Sequence, residues 1–242
     1  MIEAFVWAFI AASALLLGAV AGLAMKINRT VIGLALAFGA GALISAVAYE
    51  LTAEAFEQGG GPLLAAGLAA GALTFFTGNR WLHTHGTKRR RLTVKEQGSQ
   101  GQGLSIVLGA MLDGIPESVV LGASLIGGGA VSPAFLVAVL LSNVPEGFSA
   151  SADLHQEGRS SRWILGLWFA VVLVSATSAA LAFLLLDEAG PAVPFVQALA
   201  AGGLLTMLVD TMIPEAFEDG GDLAGLVTVF GFTLAFLLSA LT

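Results

Sequence analysis

The chain has 242 residues, 57% of them hydrophobic and 11% charged, with a formal net charge of −7; ordinary soluble domains run to roughly 45–50% and about 25%. No soluble fold of that length has an interior large enough to hide so much apolar surface. Lipid must be the solvent, and the negative charge argues against nucleic acid as a partner. The absence of cysteine rules out disulfides and thiolate metal sites, and the 31 glycines suit close approach of helices within a membrane.

A helix needs about 20 consecutive apolar residues to cross the hydrocarbon core. In chain order such runs fall at about residues 5–25, 31–51, 61–79, 104–126, 133–152, 163–186, 191–213 and 221–241. The expected fold is therefore all-α: one polytopic membrane domain over 1–242 with eight transmembrane helices. The first run begins with Glu3 rather than a basic cluster and is too long for a signal core, so it reads as a retained helix. Gly18 and Gly22 within it suit packing against another helix. Trp7, Trp81, Trp163 and Trp168 mostly fall near span ends, as interfacial anchors do.

The ten basic residues set the orientation. Lys26 and Arg29, the set from Arg80 through Lys95, and Arg159 with Arg162 all fall on one face of an eight-span protein. The positive-inside rule makes that face cytoplasmic, with loop 3–4 on it and both termini outside. The plasma membrane is the default location. Loop 3–4, about residues 80–103, is basic and then rich in Gln, Gly and Ser, the composition of a flexible linker. His83 and His85 in it suit either passing capture of a metal ion or a solvated segment meeting anionic lipid.

Residues 39–60 read GAGALISAVAYELTAEAFEQGG and residues 200–221 read AAGGLLTMLVDTMIPEAFEDGG. Offset by 161, the two share EAFE followed by GG, a glycine at Gly41 and Gly202, and a hydroxyl at Ser45 and Thr206. They lie in spans 2 and 7, which cross in opposite directions. Inverted repeats of this kind recur in secondary transporters, with the substrate near the midplane between them.

Spans 4 and 5 carry a second pair, Asp113-Gly-Ile-Pro-Glu117-Ser and Ser142-Asn-Val-Pro-Glu146-Gly. Asp113 and Glu117 are four residues apart, and Asn143 and Glu146 three, so each pair shares a helical face. Each proline removes a backbone donor and frees a carbonyl one turn back. Acid side chains beside liberated backbone oxygens are what a bound cation needs. No Lys, Arg or His lies within a span to neutralise these charges, so the counter-ion is a proton or a metal. Glu50, Glu54, Asp210 and Glu215 either line entry and exit paths or mark the membrane interface.

These motifs, the eight spans, the His-Thr-His of loop 3–4 and the kinship of spans 2 and 7 resemble the ZIP (Zrt/Irt-like) family of divalent metal transporters. The resemblance covers essentially the whole chain. It implies a 3+2+3 bundle, with spans 1–3 and 6–8 as inverted repeats around spans 4 and 5. It also implies transport of zinc, iron, manganese or a related ion toward the cytoplasm, homodimers and elevator-like alternating access. The family's helix-4 histidine falls on Asp113, its asparagine on Gly114 and its glutamate on Glu117. In helix 5 the ligand positions fall on Ser142, Asn143 and Glu146. Helix 6 has no glutamate around Ser175–Ser178, so one site is expected rather than two.

The resulting expectation is a single oxygen-rich metal site formed by Asp113, Glu117 and Glu146, helped by Asn143 and Ser142. Carboxylate ligands suit harder ions, and losing the histidine weakens the preference for zinc without abolishing its binding. The metal is the substrate, and no cofactor is expected. Two alternatives are a degenerate family member with a metal-sensing or structural role and a proton-coupled solute transporter. No nucleophile–base arrangement points to an enzyme.

Overall fold

The computed structural model describes the backbone of residues 1–25, 27–93, 100–186 and 192–241, and the side chains of these except 82–93, 100–108 and 127. Among the described residues there are helices and no strand. In chain order these are α1 (Ile2–Ala24), α2 (Arg29–Ala46), α3 (Ala53–Thr93), α4 (Gln100–Ala123), α5 (Pro133–Gln156), α6 (Ser161–Leu186), α7 (Ala192–Met207), α8 (Ile213–Gly220) and α9 (Ala224–Leu241).

Local chemistry explains several of these boundaries. The Asn28 side chain accepts a hydrogen bond from the Thr30 N–H and starts α2, which satisfies a donor that the first helical turn leaves unpaired. Ser132 does the same for the Phe135 N–H, with Pro133 as the first residue of α5, a position where a missing N–H costs nothing. The helix of α3 runs on to Thr93 and α4 begins at Gln100, so helical backbone reaches well into the stretch expected as a flexible linker. Residues 94–99 and the side chains of His83 and His85 lie outside the described residues.

Five stretches are long and apolar enough to cross a membrane among the described residues. Two of them, Arg29–Trp81 and Ala192–Leu241, extend over 53 and 50 residues, more than twice the ~20 that one crossing needs. Each is broken at a glycine with positive φ, Gly60 at 74° and Gly221 at 64°. The apolar surface faces outward as well as inward: Leu226, Val229 and Phe230 of α9 are 62–71% exposed. The described helices are those of a polytopic membrane protein, since only lipid accommodates such a surface.

The sequence repeat has a structural counterpart. A π-helical turn at Val47–Thr52 follows α2, and another at Leu208–Met212 follows α7, so the two begin 161 residues apart. Gly60 and Gly221 are separated by the same interval. Packing repeats too. Gly41 of α2 lies against the Thr228 carbonyl of α9, and Gly202 of α7 lies against the Leu68 carbonyl of α3; a methyl group at either glycine would come within 1.8 and 2.2 Å of those oxygens. Thus α2 pairs with α9 and α7 with α3.

The remaining helices form a second group. α1 packs along α5 and α6, and α4 along α6. Gly18 and Gly22 do face another helix: they rest on the Val144 and Phe148 carbonyls of α5. Trp168 of α6 is buried rather than interfacial, and its Nε1–H donates to Ser151 Oγ of α5 at 2.7 Å. Trp81 and Trp163 are 55% and 40% exposed, as membrane-surface anchors are.

Candidate cation site

The site is built where α4 and α5 each carry a proline in mid-helix, Pro116 and Pro145. A proline has no N–H for the carbonyl four residues back, which leaves the Leu112 and Leu141 oxygens without their helical partner. The proline turn of α5 meets α2 at Gly39. There a methyl group would lie 2.9 Å from Ser142 Cα and 3.2 Å from the freed Leu141 oxygen. Pro116 of α4 lies beside Gly203 of α7. The two proline turns are therefore bounded by α2 and α7, the helices that carry the repeat.

Glu117 is 4% exposed, and Ser142 and Asn143 are buried with it. Asp113 and Glu146 are partly buried. Glu146 is close enough to Asp113, Glu117 and Glu215 to feel the charge of each, and Glu117 feels Asp113. The structure thus brings the three expected carboxylates into one electrostatic neighbourhood. It does not gather them fully, because among the described residues no three acidic or imidazole side chains converge closely enough to hold a metal ion in this conformation.

The two polar helpers have other duties. Asn143 Nδ2 donates to the Ala11 carbonyl of α1 at 3.2 Å, which ties α5 to α1 and leaves the amide oxygen uncommitted by that bond. Ser142 Oγ donates to the Val139 carbonyl at 3.0 Å, so its lone pairs are what it can offer a cation. Gly114, which takes the place of the family's asparagine, faces α6: a methyl group there would lie 3.0 Å from Ser175 Oγ. The glycine that the resemblance sets at a ligand position thus faces the stretch of α6 around Ser175–Ser178, where the resemblance expects a glutamate and none stands.

Glu215, which the sequence left as either a path residue or an interface marker, is joined to α5. It sits just past the π turn at Leu208–Met212, in the first turn of α8. Its Oε1 accepts a hydrogen bond from Ser149 Oγ of α5 at 3.2 Å, one turn beyond Glu146. The signal was present in the chain: Ile213-Pro214-Glu215-Ala216 is a third copy of the apolar-Pro-Glu-small pattern at Ile115–Ser118 and Val144–Gly147. Glu50 and Glu54 are engaged elsewhere. Glu50 accepts from Ser239 Oγ of α9, and Glu54 from Gln58 Nε2 at 2.9 Å. Asp210 is exposed on the π turn.

Ser149, the partner of Glu215, lines a cavity of about 500 Å³ together with the α1–α2 turn, the last turns of α5 and Asp219 of α8. Arg29 Nη2 donates to Asp153 Oδ1 at 2.9 Å on its wall. Glu215 is within electrostatic range of Asp153 and Asp219, which line this cavity.

No family model matches the chain. Over 207 residues, 84% of its length, it is 28% identical to an Arabidopsis thaliana protein named "Putative zinc transporter". The matched region is 33% of that protein, so the chain spans about a third of the relative's length. This similarity supports the resemblance to the ZIP family carried by the Pro-Glu motifs.

Proposed function

We propose that the chain moves divalent metal ions, zinc or a related ion such as manganese or iron, across a membrane toward the cytoplasm. The path runs through eight spans in a 3+2+3 arrangement of inverted repeats, with the basic end cytoplasmic and the termini outside. The ion binds at one oxygen-rich site formed by Asp113, Glu117 and Glu146 at the two proline kinks, with Asn143 and Ser142 beside them. The resemblance further suggests a homodimer.

One observation carries this reading. Glu146 lies within electrostatic range of three other carboxylates, beside α2 and α7, whose one basic residue, Arg29, stands at the very start of α2. Such a concentration of negative charge in a membrane interior calls for a cation. The zinc-transporter relative supports the same class of substrate. The freed carbonyls at the kinks add neutral oxygens, which suit a cation that must leave again. The absence of the family's asparagine at Gly114 and of a glutamate around Ser175–Ser178 supports a single site.

Metal uptake by the purified protein in liposomes tests the proposal. Glu117→Ala and Glu146→Ala are each expected to abolish it, and unchanged flux in both variants would overturn it. A second reading is a family member that binds metal without moving it. It is favoured by the incomplete convergence of the carboxylates in this conformation. Tight metal binding in the absence of any flux would select it.

A further inference from the structure

Arg29 and Asp153 form their ion pair at an unfavourable place for both helices. Arg29 opens α2, where the helix dipole repels a cation, and Asp153 lies in the last turn of α5, where the dipole repels an anion. The side chains are 63% and 45% exposed, and exposed pairs of this kind contribute little to stability. Neither helix stability nor global stability accounts for the placement.

The cavity supplies a reason. Its wall gathers Asp153 and Asp219, and Ser149 on the same wall donates to Glu215 beyond it. Asp219 is pressed against α2 one turn beyond Arg29: a methyl group at Gly33 would lie 2.7 Å from its Cβ. Glu215 is in electrostatic range of Asp219, Asp153 and Arg29 alike. His155 also lines the cavity, with its Nδ1 at 3.3 Å from the Arg159 carbonyl oxygen. Two carboxylates on one small space, with a third reached through Ser149, attract a divalent cation strongly and would retain it. A path that delivers ions needs the opposite at its end.

We propose that Arg29 is a release residue: by occupying Asp153 it denies the departing cation a carboxylate and lets the ion pass from Glu215 to solution. The inference rests on the transport reading above. Arg29 acts through Asp153 and touches no ligand of the mid-membrane site, so it is a positioning residue with a kinetic role. It lowers the affinity of the exit for the ion without lowering that of the site at the kinks. Its cationic head also opposes re-entry from the same side.

The test is zinc uptake into liposomes by the wild-type protein and three variants, with rates normalised to folded protein eluting as one species. Arg29→Gln is expected to lower the maximal rate several-fold and to lower the half-saturating zinc concentration with it, the pattern of a product held too long. Arg29→Lys keeps the charge and is expected to stay near the wild type. Arg29→Gln combined with Asp153→Asn removes the unneutralised acid and is expected to recover the rate. Arg29→Gln with wild-type values of both parameters overturns the proposal. So does a fall in rate at unchanged half-saturation that Asp153→Asn fails to restore, because that is the mark of structural damage. A wild-type protein without flux overturns the transport reading itself.

Discussion

Gly60 and Gly221, 161 residues apart, adopt nearly the same backbone conformation: φ 74° with ψ 171° and φ 64° with ψ −150°. That region is open essentially to glycine alone. Each follows an EAFE segment, and that segment follows a π turn, so the two copies share a local path as well as a sequence. Gly60→Ala and Gly221→Ala are each expected to cost about 1–3 kcal/mol of stability. Gly61→Ala is the control, because Gly61 has ordinary φ and no contact closer than 3.6 Å for an added methyl group. Thermal unfolding in detergent measures all three.

The hydrogen bond from Ser149 to Glu215 gives Glu215 a place on the proposed path. Glu215→Gln is expected to slow metal uptake by about tenfold, the size of effect for losing one charged hydrogen-bonding group, while metal binding at the kinks persists. Uptake kinetics paired with equilibrium binding separate the two. Loss of binding together with flux would make Glu215 a ligand of the mid-membrane site instead.

The resemblance to the ZIP family sets Asp113 at a position where the family has histidine, and in the proposed site that position bears on which ion is favoured. Imidazole suits zinc and other later metals, whereas carboxylate suits manganese and harder ions. Asp113→His is expected to raise zinc uptake relative to manganese uptake by about tenfold. Competition between the two ions in one uptake experiment reads the ratio directly.

The Trp168–Ser151 hydrogen bond joins α6 to α5 within a buried contact. Ser151→Ala leaves the indole N–H unsatisfied and is expected to cost about 1–3 kcal/mol. Trp168→Phe in the Ser151→Ala background removes the orphaned donor and is expected to return part of that loss. Melting temperatures of the single and double variants check the order.

Much of this was legible in the chain because lipid imposes a simple rule on it. A helix in a membrane must be apolar over a known length, so the apolar runs mark the helices, and the acids that interrupt them stand out as costly. The Pro-Glu motifs at Asp113–Ser118 and Ser142–Gly147 announce kinks and carboxylates together, since proline acts on its own backbone. The repeat is likewise visible as shared letters.

Distant neighbours were not legible. That Gly41 meets α9 while Gly202 meets α3, that Gly114 abuts Ser175, and that Arg29 reaches Asp153 across 124 residues depend on how helices cross. Small residues permit many crossings, and only the packed bundle selects one. Glu215 shows the division most clearly. Its Pro-Glu motif was written in the sequence, yet its partner, Ser149 on another helix, was not. Local chemistry determined which residues carry charge into the bundle; the tertiary structure decided which of them meet, because proximity between helices is a property of the fold and not of any single span.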